Sequence, residues 1–143
     1  MSPGVPDAVR QRVREQARDR CGYCQGKQQY VFAPLEIDHI IPTARGGTDE
    51  EDNLWLACPM CNSFKGIQAQ ALDPLSGQYA RLFNPRHQQW SRHFQWSEDG
   101  TQIIGRTVTG RATVVALQLN NILAVVVRAA WVSAGANPPK DQG

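Results

Sequence analysis

The chain has 143 residues and a formal net charge of +2, with 41% hydrophobic and 20% charged residues. That length suits one domain burying about two-thirds of its unfolded surface, and so small a charge carries no nucleic-acid argument by itself. The longest apolar run, Ile122 to Val127, is flanked by Asn120, Asn121 and Arg128, well short of the roughly 20 residues that a bilayer span needs. No apolar leader follows Met1, so a reducing, cytoplasmic setting is expected.

Asp7 is placed to cap a helix running to about Asp19, because Val9, Val13 and Ala17 recur at four-residue spacing. Arg10, Arg14 and Arg18 form the adjacent stripe, which reads as a solvated basic face, with phosphate contact as the alternative. The helix leads into Cys21-Gly22-Tyr23-Cys24, and a second Cys-x-x-Cys pair follows at Cys58 and Cys61. In a reducing compartment thiols stay reduced, and two such pairs separated by a loop read as a tetrahedral four-cysteine zinc site. Redox chemistry or disulfides are the alternatives. Gly22 is expected to let the chain turn tightly enough for backbone amides to face the sulfurs.

Tyr30 to Phe32 and Leu35 to Ile41 are rich in strand formers and separated by Pro34, which predicts two short strands of a hairpin. Residues 43–52, with Gly46-Gly47 and four acids, read as a loop. The Asn53-Leu54-Trp55-Leu56-Ala57 segment leads back to the second cysteine pair, and a helix is expected from Asn62 to about Leu72, ended by Asp73-Pro74. Further on, the pattern predicts a hairpin spanning 93–108 around Asp99-Gly100. A helical stretch capped by Thr109 and divided at Asn120-Asn121 follows. Its apolar residues are expected to pack on the hairpin and the first helix, a partner interface being the alternative. Residues 135–143 read as a frayed tail.

Charge is unevenly spread, at −5 over residues 31–52 against +3 over 1–30 and +3 over 101–143. A carboxylate-rich site repels phosphate unless a cation sits in it, so the distribution suits a metal-dependent nuclease better than a simple DNA-binding patch.

The order of elements over 21–66 resembles the HNH endonuclease family in its McrA-like form: CGYC, EIDHIIPTARGG, Asn53-Leu54, then CPMCNSFKG. The resemblance implies an α+β fold with a ββα-metal (His-Me finger) core and a four-cysteine zinc site, flanked by the N-terminal helix and a C-terminal hairpin and helices. The expected organisation is a single domain over 1–143, with the nuclease core at 21–72, an extension at 73–134 and the tail. It implies hydrolysis of DNA phosphodiester bonds with His39 as general base, since a neutral imidazole can take a proton from water. By the same carry-over Asp38 and Asn62 bind a catalytic divalent ion and Asn53 ties the loop and orients the histidine. The chain departs from the family name at the third position, where asparagine stands for histidine. Amide and carboxylate oxygens are hard ligands, so Mg²⁺ or Mn²⁺ is expected there, and zinc at the sulfurs.

Glu36 shares a strand face with Asp38 and is either a further ligand or a salt-bridge partner. Lys65, one helical turn after Asn62, and Arg45, beside the glycine pair, are candidate phosphate contacts. His87 and His93 read as packing residues, with backbone contact to DNA as the alternative. DNA is the expected partner, and the choice between monomer and homodimer stays open. The rival function is a non-catalytic zinc module that only binds nucleic acid, which would need the cysteines but not Asp38, His39 and Asn62.

Overall fold

A computed structural model describes residues 4–140, a mixed α/β chain of short strands and five helices that gathers into two compact units. One unit comprises the chain up to Ala69 together with Asn84–Arg86, and the other comprises Gln70–Phe83 and the chain from His87 onward. Among the described residues no helix is long and apolar enough to cross a membrane.

The first unit opens with helix α1 (Asp7–Gln16). Val13 is fully buried and packs with Val5 and Leu54, with Val9 and Ile37 at the edge of the same cluster. Asp7 is the first helical residue and Pro6 occupies the cap position, so the expected carboxylate cap is absent. The helix stops earlier than its pattern suggests, because Arg18 and Asp19 take left-handed backbone angles (φ 56° and 50°). Strands β1 (Glu36–His39) and β2 (Leu54–Ala57) pair antiparallel, with Asp38 opposite Trp55 and His39 opposite Leu54. The hairpin expected between Tyr30–Phe32 and Leu35–Ile41 does not form. Gln28–Tyr30 is a 3₁₀ turn, and the Gln28 side chain donates to Val31 O and Ala33 O and accepts from Leu35 N, satisfying backbone groups that a ladder would have used.

Helix α2 (Pro59–Lys65) is capped by Cys58, whose Sγ accepts from Cys61 N. It ends at Gly66 (φ 53°), seven residues short of the expected stop at Asp73. Residues 84–86 return to this unit, where Arg86 donates to Leu54 O and to Gln16 Oε1 and stacks 5.0 Å over Trp55, joining β2 to α1.

In the second unit β3 (Gln70–Leu72) and β4 (Tyr79–Arg81) form a hairpin about the turn that begins at Asp73. The strand replaces the predicted end of a helix because Asp73 builds the turn, accepting from Leu75 N, Ser76 N and Ser76 Oγ. Arg111 forks onto both oxygens of Asp73, at 2.9 and 3.0 Å. Arg111 first, then the Ser76 and backbone donors, hold the Asp73 carboxyl well below the usual carboxylate range against the opposing effect of burial. A group depressed in this way adds stability that is complete above the ordinary carboxylate value near 4 and is lost as pH falls through the lower folded value. Arg111→Met is therefore expected to move the acid midpoint of this hairpin upward, read by hydrogen exchange of residues 70–81 across an acid titration. An unmoved midpoint would remove Arg111 from the acid stability of the turn.

Helix α3 (Trp90–His93) leads into β5 (Phe94–Trp96), which pairs with β6 (Ile103–Gly105) as the predicted hairpin. Phe83, Trp90, Phe94 and Trp96 stack at centroid distances of 5.1–5.2 Å and form the core. His93 joins it, 5.7 Å from Phe83 and bonded through Nδ1 to Thr107 Oγ1, and burial followed by the Arg92 charge pushes its pKa down. Helix α4 (Val108–Ala116) is capped by Thr107, two residues before the expected Thr109.

Helix α5 (Ile122–Ser133) begins at Asn121, as the Asn120-Asn121 break suggests. Its apolar side chains do not pack as expected: Ile122, Leu123 and Val126 are 79%, 71% and 61% exposed. The buried seam is Ala124 and Arg128, one turn apart. Arg128 donates to Thr101 O, Asn120 Oδ1 and Leu119 O and lies over Trp96, so a guanidinium network holds the helix in place of a greasy stripe. Within 135–140, read from sequence as part of a tail, Asn137 is buried and donates to Gly100 O; 141–143 lie outside the described residues.

Candidate metal centre and adjoining cavity

Cys21, Cys24, Cys58 and Cys61 are all buried and unoxidised, with their sulfurs within 4.8 Å of one another. The Cys24–Cys58 separation is 3.8 Å, matching the ~3.8 Å sulfur–sulfur edge of a tetrahedron with Zn–S of about 2.3 Å. Backbone amides of Tyr23, Cys24 and Cys61 point at Cys21 and Cys58 sulfurs at 3.3–3.5 Å. Hydrogen bonding to Cys21, Cys24 and Cys58, followed by burial, pushes the Cys61 thiol well above its ordinary range. The residues are positioned to bind a metal ion, and their soft donors and geometry fit zinc. Gly22 serves by close approach and not by an unusual φ: a Cβ there would lie 2.4 Å from Trp55 Cδ1, and the left-handed residue of this turn is Gln25 (φ 66°).

Tyr23, between the first two ligands, reaches away from the sulfurs and donates its hydroxyl to Asp38 Oδ2 at 2.6 Å. Burial first, then the Asp38 charge, push the tyrosine pKa well above its usual value, so it remains a donor. The other carboxylate oxygen of Asp38 takes Lys65 Nζ at 3.0 Å, and that ammonium also donates to His39 O at 2.7 Å. Both charged side chains are 2% exposed. Thus Asp38, expected as a cation ligand, has both oxygens engaged inside the protein. Lys65, expected to meet phosphate, is buried as its partner, because α2 stops just after it and turns its side chain under β1. Arg45 is exposed but donates to Ile67 O.

Asn53 is bonded across the loop that follows β1. Its Oδ1 accepts from Ile41 N, its Nδ2 donates to Ile41 O and Thr48 O, and its carbonyl accepts from Ile40 N. The loop closes so tightly that a Cβ on Gly47 would sit 1.7 Å from Ile41 O. Closure brings Asp49 to His39, with Oδ1 2.7 Å from Nε2. Asn62, on the first turns of α2, donates to Glu36 Oε1 at 2.8 Å.

These groups share one cavity of about 420 Å³, whose lining includes Glu36, His39, Asp49 and Asn62 and, on the α1 side, Arg10 and Arg14. Among the sequence candidates the structure therefore gathers His39, Asn62 and Glu36, sets Asn53 behind them, and withdraws Asp38 and Lys65 beneath the strand. His87 and His93 belong to the second unit. Two contacts were not expected from the sequence, Asp49 with His39 and Tyr23 with Asp38; the acid density of 49–52 was the available signal for the first, and none marked the second.

Four cysteines positioned to bind a metal ion thus stand beside a histidine–carboxylate pair, on a two-stranded ribbon followed by a helix. Residues 21–68, about a third of the chain, match the family model of the HNH endonuclease. No curated protein matches the chain.

Proposed function

We propose that the protein is a divalent-metal-dependent HNH endonuclease that hydrolyses DNA phosphodiester bonds with His39 as general base. The observation that carries this is the 2.7 Å His39–Asp49 pair in a cavity shared with Glu36 and Asn62, inside the segment that matches the family. The order β1, β2, α2 supports the ββα-metal reading of that segment.

Asp49 accepts the Nε2 proton of His39, which fixes the ring tautomer and leaves Nδ1 to take a proton from an attacking water. Asn53 holds the loop that delivers Asp49. The oxygens of Glu36 and Asn62 are the hard donors that fit Mg²⁺ or Mn²⁺, with Glu36 taking the place that the resemblance gives to Asp38. When bound there, such an ion neutralises the leaving 3′ oxygen and polarises the scissile phosphate. Asp38 and Lys65 act beneath the strand by fixing the backbone of His39. The four cysteines hold zinc for structure.

The test is conversion of supercoiled plasmid by purified protein with Mg²⁺, Mn²⁺ or EDTA, beside His39→Ala and Asp49→Asn. Nicking should require the divalent ion. It should fall by at least about a hundredfold in His39→Ala and by a smaller factor in Asp49→Asn, with zinc content unchanged. Cleavage by His39→Ala at the parent rate would sink the assignment of the base. Absence of cleavage under every metal, with DNA binding retained, would favour the binding-module reading instead.

A further inference from the structure

The basic stripe of α1 is not uniform in three dimensions. Arg12 is spent on Glu51, to which it donates through Nε and Nη2 at 3.0 and 2.8 Å, and Arg18 lies beyond the helix in a left-handed turn. Arg10 and Arg14, one turn apart, instead line the cavity that holds His39, Glu36, Asp49 and Asn62. Arg10 is steadied through Nε by Val5 O at 3.1 Å, which leaves its two terminal nitrogens for other acceptors. Arg14 is half-buried and makes no ion pair among the described residues.

Arg10 is exposed and Arg14 half-buried, and both border the cavity instead of pointing away from it. Two carboxylates stand in the same cavity, yet neither closes on these guanidiniums, which leaves the terminal nitrogens open to an anion from outside. A guanidinium presents a rigid fork that suits phosphate oxygens, and a rise of about 6 Å per four helical residues offers two such forks in sequence. We infer that Arg10 and Arg14 form a phosphate-binding wall that holds the nucleic-acid backbone across the cavity from His39 and places the scissile bond between them. The inference rests on the nuclease reading for its last clause only; the phosphate site itself stands on the arginine geometry.

The experiment measures affinity of a short labelled DNA duplex by fluorescence anisotropy between about 50 and 200 mM salt, in a His39→Ala background so that the probe survives. Arg10→Gln/Arg14→Gln should weaken binding at least about tenfold and reduce the slope of log affinity against log salt by about 1.8, as expected for two lost phosphate contacts. Arg14→Lys keeps the charge but loses the fork, and should retain the slope while weakening affinity. Arg81→Gln, on the exposed edge of β4, removes the same charge and should alter neither quantity. Zinc content and the thermal transition are read alongside, and Arg14→Gln alone serves if the double variant is destabilised through the Arg10–Val5 contact. An unchanged slope, an equal loss in Arg81→Gln, or no binding by the parent would each overturn the inference. If the slope falls as expected but His39-intact protein cleaves no plasmid, the phosphate wall survives and the catalytic reading fails alone.

Discussion

Cys58→Ser is expected to yield a chain that retains little zinc and does not fold over residues 21–68. Structural zinc supplies an apparent 10–16 kcal/mol in small zinc domains, about as much as the whole stability of an ordinary domain. Beside the buried apolar side chains of this unit, among them Val13, Leu35, Leu54 and Leu56, the four sulfurs sit at the point where α2 and the turn after α1 meet the strands. Cys58 has two duties, since it is one of the four sulfurs and also caps α2. The second unit keeps its own core of Phe83, Trp90, Phe94 and Trp96, with no ligand among them. Hydrogen exchange should therefore show amides over 20–66 losing protection in Cys58→Ser or after chelation, with those over 94–133 retaining it. Chelation is also expected to silence the cavity although its residues are not zinc ligands, because Tyr23 carries the order of the sulfur cluster to Asp38 and thence, through Lys65, to the backbone of His39. Full protection of 20–66 in a zinc-free chain would show that the cysteines are dispensable to the fold.

The contrast between these two parts of the site explains what could be read from the chain beforehand. The clustering of Cys21, Cys24, Cys58 and Cys61 is legible because ligand chemistry fixes their spacing. His39 stands out by its place within the same ordered set. Asp49 was hidden because only closure at Gly47 and Asn53 decides which of four neighbouring acids meets the imidazole. The pairing of Asp38 with Lys65 was not legible, because an acid and a base look alike in sequence whether they face outward or inward to each other. Gln28 shows how one side chain can remove a strand that Tyr30, Val31 and Phe32 favour by propensity. Helix α5 inverts its pattern because Arg128 found three backbone and side-chain acceptors that propensity does not encode. The hairpin around Asp99-Gly100 was plain because turn chemistry and alternation agree there.

Lys65→Met should cost the first unit about 3–5 kcal/mol, because it leaves the Asp38 carboxylate buried with only Tyr23 for company. For a unit of this size that corresponds to a fall of roughly 15–30 °C in its thermal midpoint. Asp38→Leu/Lys65→Met removes both charges and should recover a large part of the loss, since two buried charges replaced by apolar groups of similar volume often cost little. The outcome also separates two roles for the lysine. If Lys65 met phosphate, Lys65→Met would leave the thermal midpoint in place, raise KM and lower the salt dependence of DNA binding by about one phosphate contact. A side chain 2% exposed, bonded to Asp38 Oδ1 and to His39 O, should do the opposite. The midpoint falls, and protein that remains folded at low temperature keeps its salt slope while turnover drops as the strand under His39 loosens. Equal midpoints for parent and Lys65→Met, or no recovery in the double variant, would show that the Asp38–Lys65 pair does not hold the strand.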